Sequence, residues 1–550
     1  MRFVPVRAAI LGAVIAAVIT LPGLGGGTLW DNSETVYGEV GREVLLTHDW
    51  VVMHLNGAAW FVQPPLFFWI VAVFAKVFGV GAFAMRLPAA LATIAMGGAV
   101  GYATARAAGA QAGAVAAIVL STSLMQAIVG RLAIMDALLD LCVVLAILCW
   151  FRAFQRNSPS AFVCGALALA FGTLAKGPVA PVIVVLVLGV WLLWERRSGA
   201  PIVRPRLRTI ALAVLAFVAI VAPWFVLEAV RVGPAAAGEL IGHYTIGRYT
   251  GVIENQTGPW WYYLPVLILG FFPWIAFVPA ATVLVTDTAR TRDGSLERLA
   301  LVWTIVPLVF FSFAQTKLPN YVALELPALA IVVALWFARL GDAPQRRGAI
   351  VAAATIPIFI GLLGIAIGVF IHTNHFESAT EIIVPQAEIL AAVMLLGSLA
   401  TVVAIARPAW TGYAPYVLGA TSGALVLFIA LVAEPAAEAL KPIPPLAAAI
   451  QAARAPGASV AIRGVAGSYA LIFYTAPPVE DIDDAHDAAF VHALCSDPDV
   501  YVVTHGADVP KLAQLTAAHG RRLTEIKRVR GIAAVHIDGP ACAAGSGSPM

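Results

Sequence analysis

From residue 7 to residue 434 the chain alternates long apolar runs with short polar loops, and the arginines fall in every second loop. A helix of about twenty apolar residues matches the hydrocarbon thickness of a bilayer. The runs predict spans near 7–25, 87–105, 111–129, 137–154, 160–175, 179–194, 209–228, 262–286, 299–314, 320–338, 348–371, 386–406 and 413–434, about thirteen in all. With the N-terminus inside, the inward loops hold Arg106, then Arg152 and Arg156, then ERRSGAPIVRPRLR with five arginines, then Arg290, Arg292 and Arg298, then Arg339, Arg346 and Arg347. Short arginine-rich loops stay on the cytoplasmic side, so this pattern sets the orientation. No small-residue cleavage site follows the first run, which is read as a retained span.

One run departs from the pattern. PPLFFWIVAVFAKVFGVG at 64–81 is short and holds Lys76, and if it crossed, the five-arginine loop would face outward. It is read as a juxtamembrane or re-entrant helix on the outer face. Residues 1–437 are then a transmembrane domain with a first outer loop at 26–86. Residues 438–550 follow as a small outer α/β domain, joined through AEPAAEALKPIPPLAAA as a linker. In that domain SVAIRG, YALIFYT, VYVVTHG and IAAVHI read as strands, PKLAQLTAAHG reads as a helix, and AAGSGSPM reads as a disordered end.

Composition agrees with the class. The chain is 61% hydrophobic and 12% charged, with mean hydropathy +0.88, as a polytopic membrane protein requires. A net charge of +3 with dispersed arginines excludes nucleic acid as a partner. Cys142, Cys149 and Cys164 lie in apolar runs as packing residues, while Cys495 and Cys542 are placed to pair in an oxidising compartment. The chain carries no G-x-G-x-x-G or P-loop string in a strand-to-helix context, so no nucleotide or other cofactor is expected.

The chemistry-bearing residues gather in the outward loops. WDNSETVYGEVGREV places Asp31, Glu34, Tyr37 and Glu39 directly after the first span, where a carboxylate is read either as a general base or as part of a solvated amphipathic helix. Asp136 stands at the mouth of a span, either reactive or paired with Arg131. Lys176 ends a span, either near an anion or snorkelling to the interface. His243 and Arg248 sit in the large outer loop, Lys317 lies in TKLPNY, and Trp260 to Tyr263 read as an interfacial aromatic belt.

The strings WDNSETVYGEVGREV, DWVVMHLNG, QPPLFFW, RLPAALA, GRLAIMDALLDL, LAKGPVAP, GPWWYYLPVLILGFFPW and FSFAQTKLPNYVALELPALA stand in one order over residues 25–335. In that order they resemble the bacterial lipid A aminoarabinose transferases and their relatives, the protein O-mannosyltransferases, all of the GT-C fold. The resemblance implies a mostly α polytopic enzyme of the inner membrane with a periplasmic active site. It would move a sugar, of the 4-amino-4-deoxy-L-arabinose type among others, from a polyprenyl-phosphate donor to a lipid or glycan acceptor. It also implies that Glu34 or Asp31 is the base and that Asp136 is the second acidic residue. Lys176, Arg248, Lys317 and Gln63 then face the donor phosphate, and Tyr37 and His243 the acceptor. Three residues depart from the family. Its Asp-Glu pair reads Ser33 and Glu34 here, and its Glu-Lys before the double proline reads Val62 and Gln63, which removes one metal ligand and one phosphate lysine. No metal is therefore expected. A monomer amid membrane lipids is expected, and a carrier or flippase, or a polyprenyl-lipid binder without turnover, are the alternatives of other classes.

Overall fold

The computed structural model describes residues 3–540 except 234–237, 240–241, 243, 245–246, 254–255, 341–342, 374–376, 456, 467, 477, 483–489, 493–494 and 496. The chain forms two compact units. One comprises Met1–Gly25, Trp50–Val52 and Phe61–Glu434, and the other comprises Gly26–Asp49, Met53–Trp60 and Pro435–Met550. The first outer loop thus divides, and most of it groups with the C-terminal residues rather than with the membrane part. The pairings responsible join residues hundreds of positions apart, which no local pattern encodes.

The first unit is a helical bundle. It opens with α1 (Phe3–Thr20), α3 (Leu66–Phe78), α4 (Ala82–Ala108), α5 (Ala110–Thr122), α6 (Leu124–Arg131), α7 (Asp136–Arg156), α8 (Pro159–Lys176), α9 (Val179–Arg197) and α10 (Leu207–Val232), with α2 (Glu34–Thr47) belonging to the second unit. Among the described residues nine helices are long and apolar enough to cross a membrane, or eleven if each of two bent pairs counts as one span. One bent pair is α5 with α6, turned by 63°, and the other is Tyr263–Gly270 with Trp274–Ala289, turned by 108°. The two remaining expected spans coincide with α1 and with the helix Ala343–Thr373. Leu207, Leu215 and Val230 of α10 are more than 60% exposed, as lipid-facing side chains are.

Inside the bundle several charged side chains are paired or bonded. Arg298 donates to Glu195 at 2.6 Å and to the carbonyls of Ala289 and Thr291, tying α9 to the helix Ser295–Phe313 with both side chains buried. Breaking such a pair on one side strands a buried charge, which costs about 3–5 kcal/mol. Arg131 donates to the carbonyls of Thr20 and Pro22 at 2.7 and 2.8 Å and stands 3.9 Å from Glu434. It is not the partner of Asp136.

α3 has 13 residues. At 1.5 Å per residue it reaches roughly 20 Å, short of the roughly 30 Å of hydrocarbon it would have to cross. Trp69 on α3 donates to the carbonyl of Trp50 at 2.8 Å, and Trp224 on α10 donates to that of Val51 at 3.0 Å, so the stretch before α3 is held by two indole N–H groups. Single cysteines replacing Phe61 and Val80 in a cysteine-less background should both react with an impermeant thiol reagent from the same side of the membrane. Labelling from opposite sides would make α3 a span.

In the second unit, α2 (Glu34–Thr47) is followed by a hairpin of β1 (His54–Leu55) and β2 (Ala58–Ala59). The C-terminal part holds β3 (Ser459–Arg463), β4 (Val479–Ile482), β5 (Asp499–His505), β6 (Arg522–Val529) and β7 (Ile532–Asp538) in the order β4-β3-β5-β7-β6. β3 pairs parallel with β4 and β5, and β7 pairs antiparallel with β5 and β6. Asn56, in the hairpin turn, exchanges two hydrogen bonds of 2.8 Å with the backbone of Val479 and so extends the β4 edge as a strand residue would. YALIFYT is a helix, Ser468–Thr475, where a strand was expected. An unbroken apolar run of that length carries no period that separates the two states, and Asp31 settles it by accepting the Ala470 N–H at the helix start at 2.8 Å. The expected linker is ordered too, with a helix at Ile443–Ala453, and Lys441 donates to the Thr28 carbonyl at 2.8 Å. Cys495 is disulfide-bonded, while Cys542 and the end AAGSGSPM lie outside the described residues.

Three ionisable residues crowd one face of α2. Arg42 binds Glu39 through two bonds of 2.9 and 2.7 Å, and Glu43 accepts the Gly57 N–H. Burial pushes the Glu39 carboxyl up to about 7, against the pull of Arg42 and with the charge of Glu43 adding to the rise. A carboxyl whose folded pKa exceeds its unfolded 4.5 holds more protons when folded, so stability is lost as pH climbs from 4.5 to about 7. Thermal unfolding of the purified chain should therefore become easier between about pH 5 and about pH 7.5. Glu39→Gln should flatten that trend, and an unchanged slope in the variant would refute the assignment.

Candidate active site

The Asp136–Lys176 pair follows from a helical hairpin. α7 and α8 have 21 and 18 residues and run back to back through a tight connection. Asn157 takes a left-handed conformation, and the Ser158 hydroxyl accepts the Ala161 N–H in front of Pro159. Helices of roughly equal length, folded once, bring the first residue of one beside the last residue of the other. Gly177, at φ +74°, ends α8 and donates to the Thr173 carbonyl at 2.8 Å. Lys176 Nζ then lies 2.6 Å from Asp136 Oδ1, with the two side chains 13% and 7% exposed, and 5.2 Å above the Tyr321 ring. Lys176 is bound inward rather than snorkelling.

A cavity of about 520 Å³ opens over this pair, lined by Gln63, Asp136, Asp140, Lys176, Arg248 and Tyr321 among others. Its walls are otherwise aromatic and aliphatic, from Tyr249, Phe310, Phe311, Val179, Val182 and Leu324. Arg248 is delivered by a short segment stitched to the chain after Phe313. Gln315 N–H donates to the Tyr249 carbonyl at 3.0 Å, Thr316 N–H to the Arg248 carbonyl at 3.1 Å, and the Thr316 hydroxyl to the Gly251 carbonyl at 2.9 Å. Tyr249 packs on Phe310 with centroids 4.9 Å apart, and the Arg248 guanidinium lies 6.0 Å from the Tyr244 ring. The arrangement offers two cations, two amides and two carboxyl groups on a largely apolar surface. It suits an amphiphile with an anionic head.

The structure brings four of the expected site residues together here: Gln63, Asp136, Lys176 and Arg248. Lys317 is elsewhere. Its ammonium donates to the carbonyls of Phe311, Ser312 and Ala314 at 2.8–3.3 Å, and burial lowers its pKa. A lysine just past an apolar helix satisfies carbonyls that the helix leaves unbonded. Glu34, Asp31 and Tyr37 belong to the second unit. Glu34 is buried and accepts the Trp30 N–H at 2.9 Å, Tyr37 is half-buried, and Asp31 is occupied by Ala470 and by the Thr35 hydroxyl at 3.2 Å. His243 lies outside the described residues. Trp260 and Trp261 are exposed, as a belt requires, but Tyr263 is buried with the Lys317 ammonium 5.4 Å above its ring. Among the described residues no three His, Cys, Asp or Glu side chains gather to hold a metal.

Two carboxyls were missed. Asp140 lies one turn beyond Asp136 on the same face of α7, lines the cavity, and has one oxygen without a hydrogen-bond partner among the described residues. Glu325, next to Leu324 of the lining, is buried in the same condition and close enough to interact electrostatically with Asp140. The signal was in the sequence: each is a lone carboxylate inside an apolar run, and such residues mark functional sites.

Polytopic helices around a cavity of this composition, together with a small mixed sheet, define the GT-C class of membrane glycosyltransferase folds. The crystal structure of ArnT from Cupriavidus metallidurans bound to undecaprenyl phosphate superposes with a TM-score of 0.78 at 23% identity, over 98% of this chain and 99% of that one. An oligosaccharyltransferase from Archaeoglobus fulgidus matches at a TM-score of 0.51 and 12% identity, over 94% of this chain and 71% of that one. Residues 62–226 match the family described as dolichyl-phosphate-mannose-protein mannosyltransferase. By sequence the chain is similar to undecaprenyl phosphate-alpha-4-amino-4-deoxy-L-arabinose arabinosyl transferases. The one from Edwardsiella ictaluri is 29% identical over 64% of this chain and 62% of its own, and the one from Pseudomonas aeruginosa is 32% identical over 58% of each. The chain spans about three fifths of the length of these curated relatives. The resemblance read from the motifs thus holds in both sequence and fold.

Proposed function

We propose that the chain is an inner-membrane glycosyltransferase that moves a sugar, of the 4-amino-4-deoxy-L-arabinose type, from a polyprenyl-phosphate donor to a lipid A-like acceptor on the periplasmic side. The observation that carries this reading is the Asp136–Lys176 pair beside Arg248 in an apolar-walled cavity. Lys176 and Arg248 hold the donor phosphate, Gln63 adds a neutral amide bond, and the apolar walls take the first isoprene units. Asp136 keeps the Lys176 ammonium aimed and orients the sugar.

The chemistry is a single inverting displacement. A carboxylate takes the proton of the acceptor hydroxyl or phosphate, and the acceptor oxygen attacks the anomeric carbon. The bond from that carbon to the phosphate oxygen breaks, and its electrons leave on polyprenyl phosphate, whose added charge the two cations stabilise. Arg248→Lys should recover only part of the rate lost in Arg248→Ala, because one point charge replaces a planar fork that fits phosphate. Equal rates in the two variants would remove the bidentate role.

A protein acceptor is the second reading, favoured by the mannosyltransferase match over residues 62–226. Mass spectrometry of envelope lipids and of envelope proteins, from cells with and without the chain, tests both. A pentosamine-sized loss confined to lipid A supports the first, hexose loss from proteins supports the second, and no change in either refutes glycosyl transfer.

A further inference from the structure

A second pocket lies toward the other end of α7. α7 starts at Asp136 in the cavity and carries Arg152 and Arg156 in its last two turns, and 21 helical residues separate its ends by roughly 30 Å. At that far end a groove of about 330 Å³ lies among α1, α4 and α7, walled by Ala9, Ala99, Ala103, Leu145 and Leu148. Three arginines, Arg106, Arg152 and Arg156, line it, and its lining contains no carboxylate.

The groove continues into a polar pocket of about 430 Å³ that shares Arg106, Gln155 and Arg156 with it. Two carboxylates line that pocket: Glu297, engaged by Arg339 at 3.2 Å, and Asp293, while Arg152 lines the apolar groove alone. Arg106 reaches the Tyr102 hydroxyl at 3.5 Å, a bond that leaves its charge unneutralised. Three like charges gathered beside an apolar channel call for an anion that carries its own apolar chain. A free anion has no use for the groove, and a neutral lipid has none for the guanidiniums. Basic pockets between membrane helices bind anionic head groups in this way.

We propose that this groove binds one anionic diacyl phospholipid, its phosphodiester between Arg106, Arg152 and Arg156 and an acyl chain along Ala99, Ala103, Leu145 and Leu148. The site is independent of the donor cavity and of the transfer reaction.

The test is native mass spectrometry of the full chain, delipidated in detergent and given equal amounts of dioleoylphosphatidylglycerol and dioleoylphosphatidylcholine. The parent should retain phosphatidylglycerol preferentially, and R106Q/R152Q/R156Q should lose that preference by on the order of tenfold or more. Ala103→Phe, which fills the groove and keeps every charge, should lose it too and carries the test if the triple variant fails to fold. R196Q/R197Q/R208Q removes the same charge from exposed arginines outside the groove and should retain the preference. Equal loss in that control would reduce the effect to general surface charge. Retention by Ala103→Phe, displacement by inorganic phosphate alone, or no preference in the parent would each overturn the site.

Discussion

Lys176→Ala is expected to slow sugar transfer by on the order of 10²–10³-fold, the loss seen when one preorganised charge stabiliser is removed from a transition state. The same change takes away the ammonium 2.6 Å from Asp136, a side chain only 7% exposed. Stranding a buried carboxylate costs about 3–5 kcal/mol of stability, so activity and folding fall together in the single variant. The double variant Lys176→Met with Asp136→Asn separates them. It leaves no buried charge and should melt near the parent, yet remain inactive. Recovery of turnover in the double variant would make the pair structural, and normal turnover in Lys176→Ala would remove the lysine from the reaction altogether.

The second large effect concerns the base. Glu34→Gln keeps the shape of the side chain and removes its proton affinity, so transfer should fall about 10²–10⁴-fold. If Glu34 is the base, Asp31→Asn should be mild in rate, and Asp31 accepts the N–H of Ala470. Its loss should show as a stability decrease of about 0.3–1 kcal/mol, the usual worth of a negative charge at a helix start. Ser33→Asp restores the family's Asp-Glu pair. A faster rate there means the shared chemistry runs weakened in this chain, and a slower one means the pocket has been rebuilt around another acceptor. Parent-like transfer in Glu34→Gln and Asp31→Asn alike would take the first loop out of the mechanism.

What was legible in the sequence was local. The apolar runs marked the helices because their length is set by the bilayer, and GRLAIMD and LAKGP marked Asp136 and Lys176 because both stand where a span meets a polar loop. Their mutual pairing was not legible. Arg131 is five residues from Asp136 and looked the nearer partner, but α7 and α8 return the chain to bring Lys176 to 2.6 Å while Arg131 turns to the carbonyls of Thr20 and Pro22. Lys317 does not line the cavity, and its ammonium is held by the carbonyls of Phe311, Ser312 and Ala314. The carbonyls that hold it belong to backbone, and backbone leaves no mark in a sequence. Asp140 and Glu325 were passed over inside strings that were read for other residues. The unit that joins residues 26–49 to the C-terminal sheet rests on contacts such as Asp31 with Ala470 and Asn56 with Val479, separated by more than 400 positions.

Purified protein in detergent or nanodiscs, given undecaprenyl phosphate carrying a labelled 4-amino-4-deoxy-L-arabinose together with lipid A, measures the central claim directly. The expected result is label on lipid A with inverted anomeric configuration, free undecaprenyl phosphate released in equal amount, and neither product from Lys176→Ala or Arg248→Ala. Donor that binds and is recovered intact, or that is carried across a membrane without loss of its sugar, would contradict the account and leave a polyprenyl-lipid binder or carrier in its place.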